Sequence, residues 1–424
     1  MKKLVSLSLV LVLLLSLSGA ALAQADLKAD ITWWAFPTFG QENAADPVGT
    51  YEQKLAEAFM AKYPGITVKV ETIDFQSGPE KLVSAIEGGK APDVLFDAPG
   101  RIVEYGRNGK LVKLDDMFTD AFRQDVNNDA LLGACSDGSN YWMYPISSSP
   151  FFMNINKDMF EAAGALQYVN QEGDRTWTTG DFVKALEALN KAGYLGASIY
   201  CGGQGGDQGT RALVSNLYGA TIANAEKTQY TMQSAEGLKA LNLIKELADK
   251  GQLEKGTDIV AGDEIKLFVQ KVLSMSICWG TSAAKNNPLD FTPFFLPFPS
   301  ETGTPALEYL VNGFCVFDNK DENRAAAAKI FIDFLCNDAQ YGPMNVKATG
   351  AFPARSSYGN LYEGNADYEL LASWTKYYAP YYNTMPGFAN MRKQWWGMLQ
   401  DILTDKKAVE VALADYTAES NKGL

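Results

Sequence analysis

The segments ITWW (residues 31–34), ITVKV (66–70) and DVLFD (93–97) have the pattern of three short β-strands, and a helical pattern lies between each consecutive pair. This alternation of strand and helix predicts a parallel β-sheet covered by helices. The third strand is apolar through its centre, which is typical of a strand buried on both faces. Right-handed crossovers place the loops after Trp34 and Asp97 at the same edge of the sheet, where open α/β sheets bind their ligands.

Local signals mark the ends of some elements. Ser77 and Glu80 have the spacing of a capping box, which predicts the start of the second helix. Farther along, the dipeptide Asn312-Gly313 is expected to interrupt a strand over residues 307–317.

The first residues have the pattern of a secretory signal peptide. Lys2 and Lys3 precede an apolar run over residues 4–17, and a short A-x-A sequence ends at Ala23. The run is shorter than the ~20 apolar residues that span a bilayer, so we predict cleavage after Ala23 rather than a membrane anchor. Ala20 stands where a lipoprotein would carry its lipidated cysteine, so no lipid anchor is expected. The mature chain is therefore predicted to work in the periplasm or the cell-surface space, without membrane insertion.

Composition indicates a packed globular chain with an excess of negative charge. The roughly 400 residues left after cleavage fit two domains of ordinary size. Apolar residues make up 47% of the chain and charged residues 21%, which excludes a disordered protein. The formal net charge of −13 repels nucleic acids and anionic membranes, so neither is a predicted partner.

Several kinds of chemistry are excluded by residue counts and spacing. The chain contains no histidine, so it has neither histidine-based catalysis nor histidine metal ligands. Its five cysteines lack C-x-x-C spacing and are interpreted as small buried residues rather than a zinc or redox site. The glycine-rich stretch 201–209 misses the G-x-G-x-x-G pattern because Gln208 takes the place of the last glycine. We predict no cofactor and no bound metal.

Aromatic residues cluster beside glycine, proline and asparagine, where loops are expected. The clusters cover residues 33–39, 141–152, 291–298, 374–382 and 388–396. Many of these rings belong to the core, yet an aromatic ring on a loop also offers an apolar face on which a sugar ring can stack. The pattern favours a carbohydrate ligand, because burying each ring face contributes affinity without charge.

Seven short motifs follow one another over nearly the whole mature chain: YPGI at 63–66, APDV at 91–94, YP at 144–145 leading to NKDMF at 156–160, TW at 176–177, MSICWG at 275–280, Gly313 with an alanine-rich helix ending at Leu335, and FPAR at 352–355. In this order they resemble the extracellular solute-binding proteins of ABC importers, in the branch of maltodextrin and other sugar binders.

The resemblance implies an α/β, two-lobe periplasmic-binding-protein fold of type II, with a ligand cleft between hinge-linked lobes. The N-terminal lobe would take residues 26–147 and 305–355, and the C-terminal lobe 148–304 and 356–424. Members of this family capture a solute and deliver it to the membrane subunits of an ABC permease. We therefore expect a monomer that binds a sugar or oligosaccharide and has no catalytic residues.

The resemblance also implies a set of ligand contacts in the loops that border the cleft. Trp279 and Trp395 stand where related proteins stack aromatic rings on sugar. The full set of nine is Trp34, Phe36, Asp97, Arg101, Ser149, Trp279, Asn312, Arg355 and Trp395.

Three positions depart from the maltose-type pattern, whereas Arg101 matches it. That pattern has a tryptophan in place of Asp97, an acid in place of Gly100 and a glutamate in place of Ser149, so a pocket of different shape is expected. Structural alternatives stay open at this point. The tryptophans could be core residues, the arginines could pair with acids, Asp97 could cap a turn, and Asn312 could be a turn residue.

Two rival functions remain open from the sequence. An exported carbohydrate enzyme, such as a glycosidase or a lyase, needs only a pair of carboxylates in the cleft. A binder of a phosphorylated polyol or a peptide would use arginines for its anion, with Arg101, Arg211 and Arg355 as candidates.

Overall fold

The structure of the protein is a computed structural model. It describes residues 27–43, 45–74, 77–126, 128–203, 206–422 and 424. The predicted leader, with Ala20 and the cleavage position after Ala23, lies outside the described residues.

Nine strands and sixteen α-helices occur in the described part of the chain. The strands are β1 (Ala29–Ala35), β2 (Ile66–Thr72), β3 (Val94–Asp97), β4 (Tyr144–Pro150), β5 (Phe152–Asn156), β6 (Met275–Trp279), β7 (Pro293–Leu296), β8 (Tyr309–Val316) and β9 (Phe352–Pro353). The helices are α1 (Thr50–Lys62), α2 (Gly78–Glu87), α3 (Pro99–Arg107), α4 (Asp120–Asp125), α5 (Asp129–Ala134), α6 (Lys157–Ala162), α7 (Thr179–Lys191), α8 (Gln208–Tyr218), α9 (Ala235–Asp249), α10 (Ala261–Val269), α11 (Thr281–Asn286), α12 (Glu322–Asn337), α13 (Tyr341–Thr349), α14 (Ala366–Ser373), α15 (Phe388–Leu403) and α16 (Val409–Asn421).

The first sheet has six strands in the order β2-β1-β3-β8-β4-β9. Strand β1 pairs in parallel with β2 and β3, which confirms the parallel sheet predicted from the first three strands. Strand β8 lies antiparallel between β3 and β4. The carboxyl ends of β1 and β3 therefore meet at one edge, as their connections require.

The second sheet has three strands in the order β6-β5-β7, and all of its pairings are antiparallel. The chain passes from the first sheet to the second at Phe151, the single residue between β4 and β5. Each sheet has its own apolar core. The first core contains Trp33 and Phe331, and the second contains Trp177 and Phe268. The architecture is thus a two-lobe α/β fold.

Two local predictions are wrong. Ser77 precedes α2, but its hydroxyl donates to the Asp74 carboxylate at 2.7 Å and makes no capping bond to the helix, so no capping box forms. Strand β8 runs through Asn312 and Gly313 without interruption. Gly313 is required there because a Cβ atom would lie 2.4 Å from the carbonyl oxygen of Tyr144 on the neighbouring strand.

All five cysteines lie in the described part of the chain, where they are buried and form no disulfide. This agrees with their interpretation as small buried residues. Among the described residues, none of the helices combines the length and the apolar character needed to span a bilayer.

One buried acid in the second lobe has an unusual protonation equilibrium. Glu264 on α10 is fully buried, and its carboxylate accepts hydrogen bonds from Ser276 Oγ at 2.7 Å and the Ile277 amide at 2.8 Å. Burial raises the pKa of Glu264 to about 8, because these two hydrogen bonds offset only part of the lost hydration.

We expect this acid to make the protein less stable as the pH rises. In the unfolded chain Glu264 loses its proton near the ordinary value of 4.5, whereas the folded protein retains it up to about pH 8. The unfolded state therefore binds fewer protons in this window, and the free energy of unfolding falls between these two pH values. No histidine titrates in the same window, because the chain has none.

The Glu264→Gln variant should show a smaller decrease in melting temperature between pH 5 and pH 8 than the unmodified protein. Differential scanning calorimetry across this range measures the slope. The exposed Glu363→Gln variant is the control and should retain the full decrease. Equal slopes for all three proteins would contradict the assignment.

Candidate ligand-binding site

A cavity of about 410 Å³ lies between the two lobes. The first lobe contributes the beginning of α3, including Arg101 and Glu104, and strand β8 contributes Tyr309. The second lobe contributes the beginning of α8, and the segment that leads into α15 closes the remaining side with Tyr381 and Phe388. The volume falls within the ~300–1,000 Å³ typical of small-molecule sites.

Aromatic rings form one wall of the cavity, and the protein holds them in fixed positions. Tyr309 stacks on Tyr378 with ring centroids 4.0 Å apart and an angle of 7° between the planes. Tyr381 also packs against the Tyr309 ring, with the ring centroids 5.1 Å apart. The hydroxyl of Tyr309 donates to the Ala130 carbonyl at 3.2 Å, and the hydroxyl of Tyr378 is 3.2 Å from Ser148 Oγ. The rings therefore present rigid apolar surface to a ligand.

The guanidinium of Arg101 is positioned by two neighbours. Its Nε and Nη2 atoms donate to the two oxygens of Asp97, each at 2.6 Å, and its central carbon lies 4.9 Å from the Phe36 ring centre. Burial disfavours the charge on Arg101, but the Asp97 carboxylate more than offsets this, so the pKa of Arg101 lies above its ordinary value. In the described part of the chain Nη1 has no hydrogen-bond partner, so it can donate to a ligand oxygen.

A buried network of charges forms the floor on the second-lobe side. Arg211 on α8 is 1% exposed and pairs with Asp207 and Glu308, and its Nε donates to the Tyr382 hydroxyl at 2.7 Å. Burial opposes the charge on Arg211, but the two carboxylates raise its pKa well above the ordinary value. Arg392 on α15 binds Asp207 from the other side, with an Nη2–Oδ1 distance of 2.6 Å. Each of these cations is therefore compensated within the protein.

Three of the nine residues predicted as ligand contacts come together in the structure. Arg101 lines the cavity, while Asp97 and Phe36 lie behind it and fix its orientation. Ser149 lies in β4 and Asn312 in β8, two strands of the first sheet whose ends connect to the second lobe. Ser149 pairs with Leu310, and the Asn312 amide donates to Ser147 Oγ at 3.2 Å.

Of the nine predicted residues, all of which the structure describes, Arg101 alone lines the cavity; the four still to be placed are Trp34, Trp279, Arg355 and Trp395. Trp279 and Trp395 are 0% exposed, so neither indole has a face that a ligand can reach in this conformation. Trp279 packs edge-on against Phe268, and Trp395 Nε1 donates to Thr210 Oγ1 at 3.0 Å within the second lobe. The expected stacking on these two rings is therefore not provided by this arrangement, because their side chains complete the second core.

Trp34 and Arg355 also have structural partners. The Trp34 ring lies on β1 with Lys81 Nζ 5.1 Å from its centre. Arg355 donates from Nε to Asp125 Oδ2 at 2.7 Å and is held away from the cavity lining. For all nine residues, contact with a ligand stays a prediction.

Three aromatic residues that line the cavity, Tyr309, Tyr381 and Phe388, are not among the predicted contacts. The stretch YYAPYYN at 377–383 nevertheless overlaps the aromatic cluster at 374–382. Its place at the cavity depends on pairing between Leu307 and Tyr378, which are far apart in the sequence. No local pattern reports such a pairing.

The geometry defines a class of protein: two α/β lobes joined by crossing strands, with a cavity between them, make a two-lobe periplasmic binding protein. The chain belongs to the bacterial extracellular solute-binding protein family, whose profile matches residues 54–396. Members of this family are exported binding proteins rather than enzymes.

Individual proteins resemble this chain in sequence or in fold. A binding protein of Brucella abortus (strain 2308) is 25% identical over 385 residues, which cover 88% of this chain and 89% of that protein. The ABC transporter solute-binding protein of Thermotoga lettingae, solved with α-D-tagatose, has a TM-score of 0.73 at 18% identity and covers 93% of this chain and 99% of its own. The GacH receptor of Streptomyces glaucescens, solved unliganded and with acarbose, has a TM-score of 0.74 at 16% identity, with 94% and 99% covered. These structures share the fold of this chain.

Within the described residues, no group of three or more acidic or cysteine side chains is arranged to hold a metal ion. The groups that the cavity offers to a ligand are aromatic rings, charged side chains already paired within the protein, and the Nη1 donor of Arg101.

The pairing of Arg101 with Asp97 can be tested through stability. The Arg101→Met variant leaves a nearly buried carboxylate without its counter-ion, so we expect the free energy of unfolding to fall by roughly 1–3 kcal/mol. The Asp97→Asn/Arg101→Met double variant should regain part of this loss, because no unpaired charge remains. Urea unfolding followed by circular dichroism gives the three values.

The Lys54→Met variant is the control for losing a cation. Lys54 pairs with Glu42 at the exposed surface, where solvent screens the charges, so its loss should change the free energy of unfolding little. A double variant that is no more stable than Arg101→Met would contradict the proposed coupling.

Proposed function

We propose that this protein is the exported solute-binding component of an ABC transporter, and that it captures an uncharged sugar or oligosaccharide between its lobes. The observation that carries the proposal is the interlobe cavity, where the rings of Tyr309, Tyr381 and Phe388 face a space bordered by charges that the protein itself compensates. Sugar rings bury their apolar faces on such aromatic surfaces, and their hydroxyls bind polar groups at the rim.

In this proposal the two lobes close around the sugar and the closed form docks on the membrane permease. The lobes comprise residues 26–147 with 305–355 and residues 148–304 with 356–424. A ligand favours closure because it contacts both sides of the cleft at once. The mature protein is a monomer that begins after Ala23 and carries no lipid anchor. Export into the periplasm or cell-surface space fits the family.

The arrangement of charges favours a neutral ligand over an anion. Arg211 already forms ion pairs with Asp207 and Glu308 and donates to Tyr382, so its charge is balanced without a phosphate or a peptide carboxylate. Arg355 is paired with Asp125 outside the cavity lining. The charge of Arg101 is balanced by Asp97, which leaves it a hydrogen-bond donor rather than an anion site.

The composition of the cavity also favours binding over hydrolysis. Among the described residues that line it, Glu104 is the single carboxylate. A glycosidase needs two carboxyl groups on either side of the bond that breaks. The named ligands of related structures, α-D-tagatose and acarbose, add support for a carbohydrate.

A thermal-shift screen tests the class of ligand. We expect the melting temperature of the mature protein to rise with at least one uncharged mono- or oligosaccharide, because a ligand that binds the folded state stabilises it. The matching sugar phosphates should cause a smaller shift or none. A shift with the phosphates alone, abolished by added salt, would favour the anion-binding alternative.

The same mixtures distinguish a binder from an enzyme. After incubation, chromatography should recover the sugar unchanged. The appearance of a shorter or altered product would overturn the proposal and assign an exported carbohydrate enzyme.

Removing one aromatic face of the cavity should weaken the binding of the sugar found in this screen. The Phe388→Ala variant is expected to lower the affinity about tenfold, because stacking and burial of one ring contribute on the order of 1–2 kcal/mol. Isothermal titration calorimetry measures the change.

The Tyr194→Ala variant removes a partly buried ring in the second lobe outside the cavity lining and serves as the control. Its affinity should match that of the unmodified protein. Equal affinities for all three proteins would remove Phe388 from the site.

A further inference from the structure

A lysine of the second lobe reaches across the cleft to the first lobe. Lys227 Nζ donates to the Gly133 carbonyl oxygen at 3.2 Å and lies 3.5 Å from Thr384 Oγ1. Gly133 lies in α5, next to Ala134 of the first core, whereas Lys227 lies in a turn that ends at Tyr230 of the second core. The contact therefore joins a side chain of the second lobe directly to the backbone of the first.

Hydrogen bonds within the turn hold the backbone that carries Lys227. The Asn224 side chain accepts hydrogen bonds from the amides of Thr228 at 2.8 Å and Gln229 at 3.0 Å. The amide of Lys227 donates to the Asn224 carbonyl at 3.1 Å, and its φ angle of 57° lies in the left-handed region. These bonds fix the direction in which the lysine side chain leaves the turn.

The acceptor on the first lobe suits a cation. Gly133 lies in the last turn of α5, where carbonyl oxygens have no partner within the helix and carry the negative end of the helix dipole. Lys227 makes no ion pair with a described acid, and burial together with the charge of Arg107 lowers its pKa. The ammonium group thus gives up hydration for a contact that exists only when the lobes are together.

A second direct contact between the lobes lies beside the first. Gly100 at the start of α3 is so close to the segment before α15 that a Cβ atom would lie 3.1 Å from the Asn383 carbonyl oxygen and 3.8 Å from the Phe388 ring. The Tyr230 hydroxyl donates to the Pro386 carbonyl at 3.1 Å and ties the same segment to the lysine turn.

We propose that Lys227 is a latch residue, which holds the lobes together in the ligand-free protein and keeps the segment 383–388 seated on Gly100 over the cavity. Lys227 is a positioning residue, since it acts through the arrangement of the lobes and contacts no part of the proposed sugar site. The latch does not depend on the chemical nature of the solute.

Small-angle X-ray scattering of the mature protein without added sugar tests the latch. The Lys227→Met variant should have a larger radius of gyration than the unmodified protein, because loss of this charge-assisted bond shifts the ratio of closed to open molecules by about tenfold. The Lys227→Arg variant keeps the cation and should retain the compact value.

The Lys271→Met variant is the matched control. Lys271 also has a left-handed backbone, with a φ angle of 62°, but it pairs with Asp290 within the second lobe at 2.7 Å. Its radius of gyration should equal that of the unmodified protein, even if its melting temperature changes.

A second variant independently tests the packing of the segment 383–388 on Gly100. Gly100→Leu extends a branched side chain from a Cβ position that already lies 3.1 Å from the Asn383 carbonyl oxygen and 3.8 Å from the Phe388 ring, and it should also increase the radius of gyration. An unchanged radius for Lys227→Met, with melting temperature lowered or not, would overturn the proposal and leave Lys227 with a local role. Since no sugar is present, this result does not depend on whether the solute is a carbohydrate.

Discussion

The return of the chain from the second lobe into the middle of the first sheet is the constraint on which the rest of the structure depends. Strand β8 pairs with β3 on one side and β4 on the other. The first lobe is therefore built from two separate parts of the chain, and the two lobes are not consecutive domains joined by one linker. At the crossing, the Phe151 amide donates to the Glu308 carbonyl at 2.9 Å, which joins the outgoing and returning segments. Tyr309 begins β8 directly after this bond, so the cavity forms where the lobes are hinged.

The charged side chains at the crossing between the lobes balance one another. Glu308 immediately precedes the returning strand and pairs with Arg211, which also binds Asp207. Desolvating an unpaired charge here would cost several kcal/mol, so the network must remain complete for the lobes to stay in register. The neutral, hydroxyl-rich ligand proposed above would leave this network intact and could use the remaining Nη1 donor of Arg101.

The sequence predicts those parts of the protein that local patterns determine. The first three strands and their parallel order follow from alternating apolar segments, and the position of Arg101 follows from the family resemblance. Trp395 was predicted to face the cleft, yet it occupies the apolar face of α15 with Met391 and Leu399, at the four-residue spacing that indicates a core position. That periodicity is present in the sequence and indicates burial, while contact of Trp395 with a ligand stays a prediction.

The tyrosines around the cavity could not be placed in the same way. Tyr309 and Tyr378 stack because residues from two distant segments pair beside the hinge, and this depends on the tertiary fold. The predicted interruption of the strand at Asn312-Gly313 is wrong for a related reason. A glycine can mark a turn, but here it allows β8 to approach Tyr144 closely, and only the neighbouring strand decides between these two uses.

Entry of a solute and preorganisation of its site require different arrangements of the two lobes. A closed form that is populated without ligand is preorganised for binding, but a solute can enter only while the lobes are apart. The contact across the cleft must therefore be weak enough to break often. A partly buried lysine on a neutral carbonyl meets this demand better than a lysine on a buried acid, whose rupture would leave an unpaired charge. The bond from Lys227 to the Gly133 carbonyl, rather than to a carboxylate, therefore suits the proposed latch.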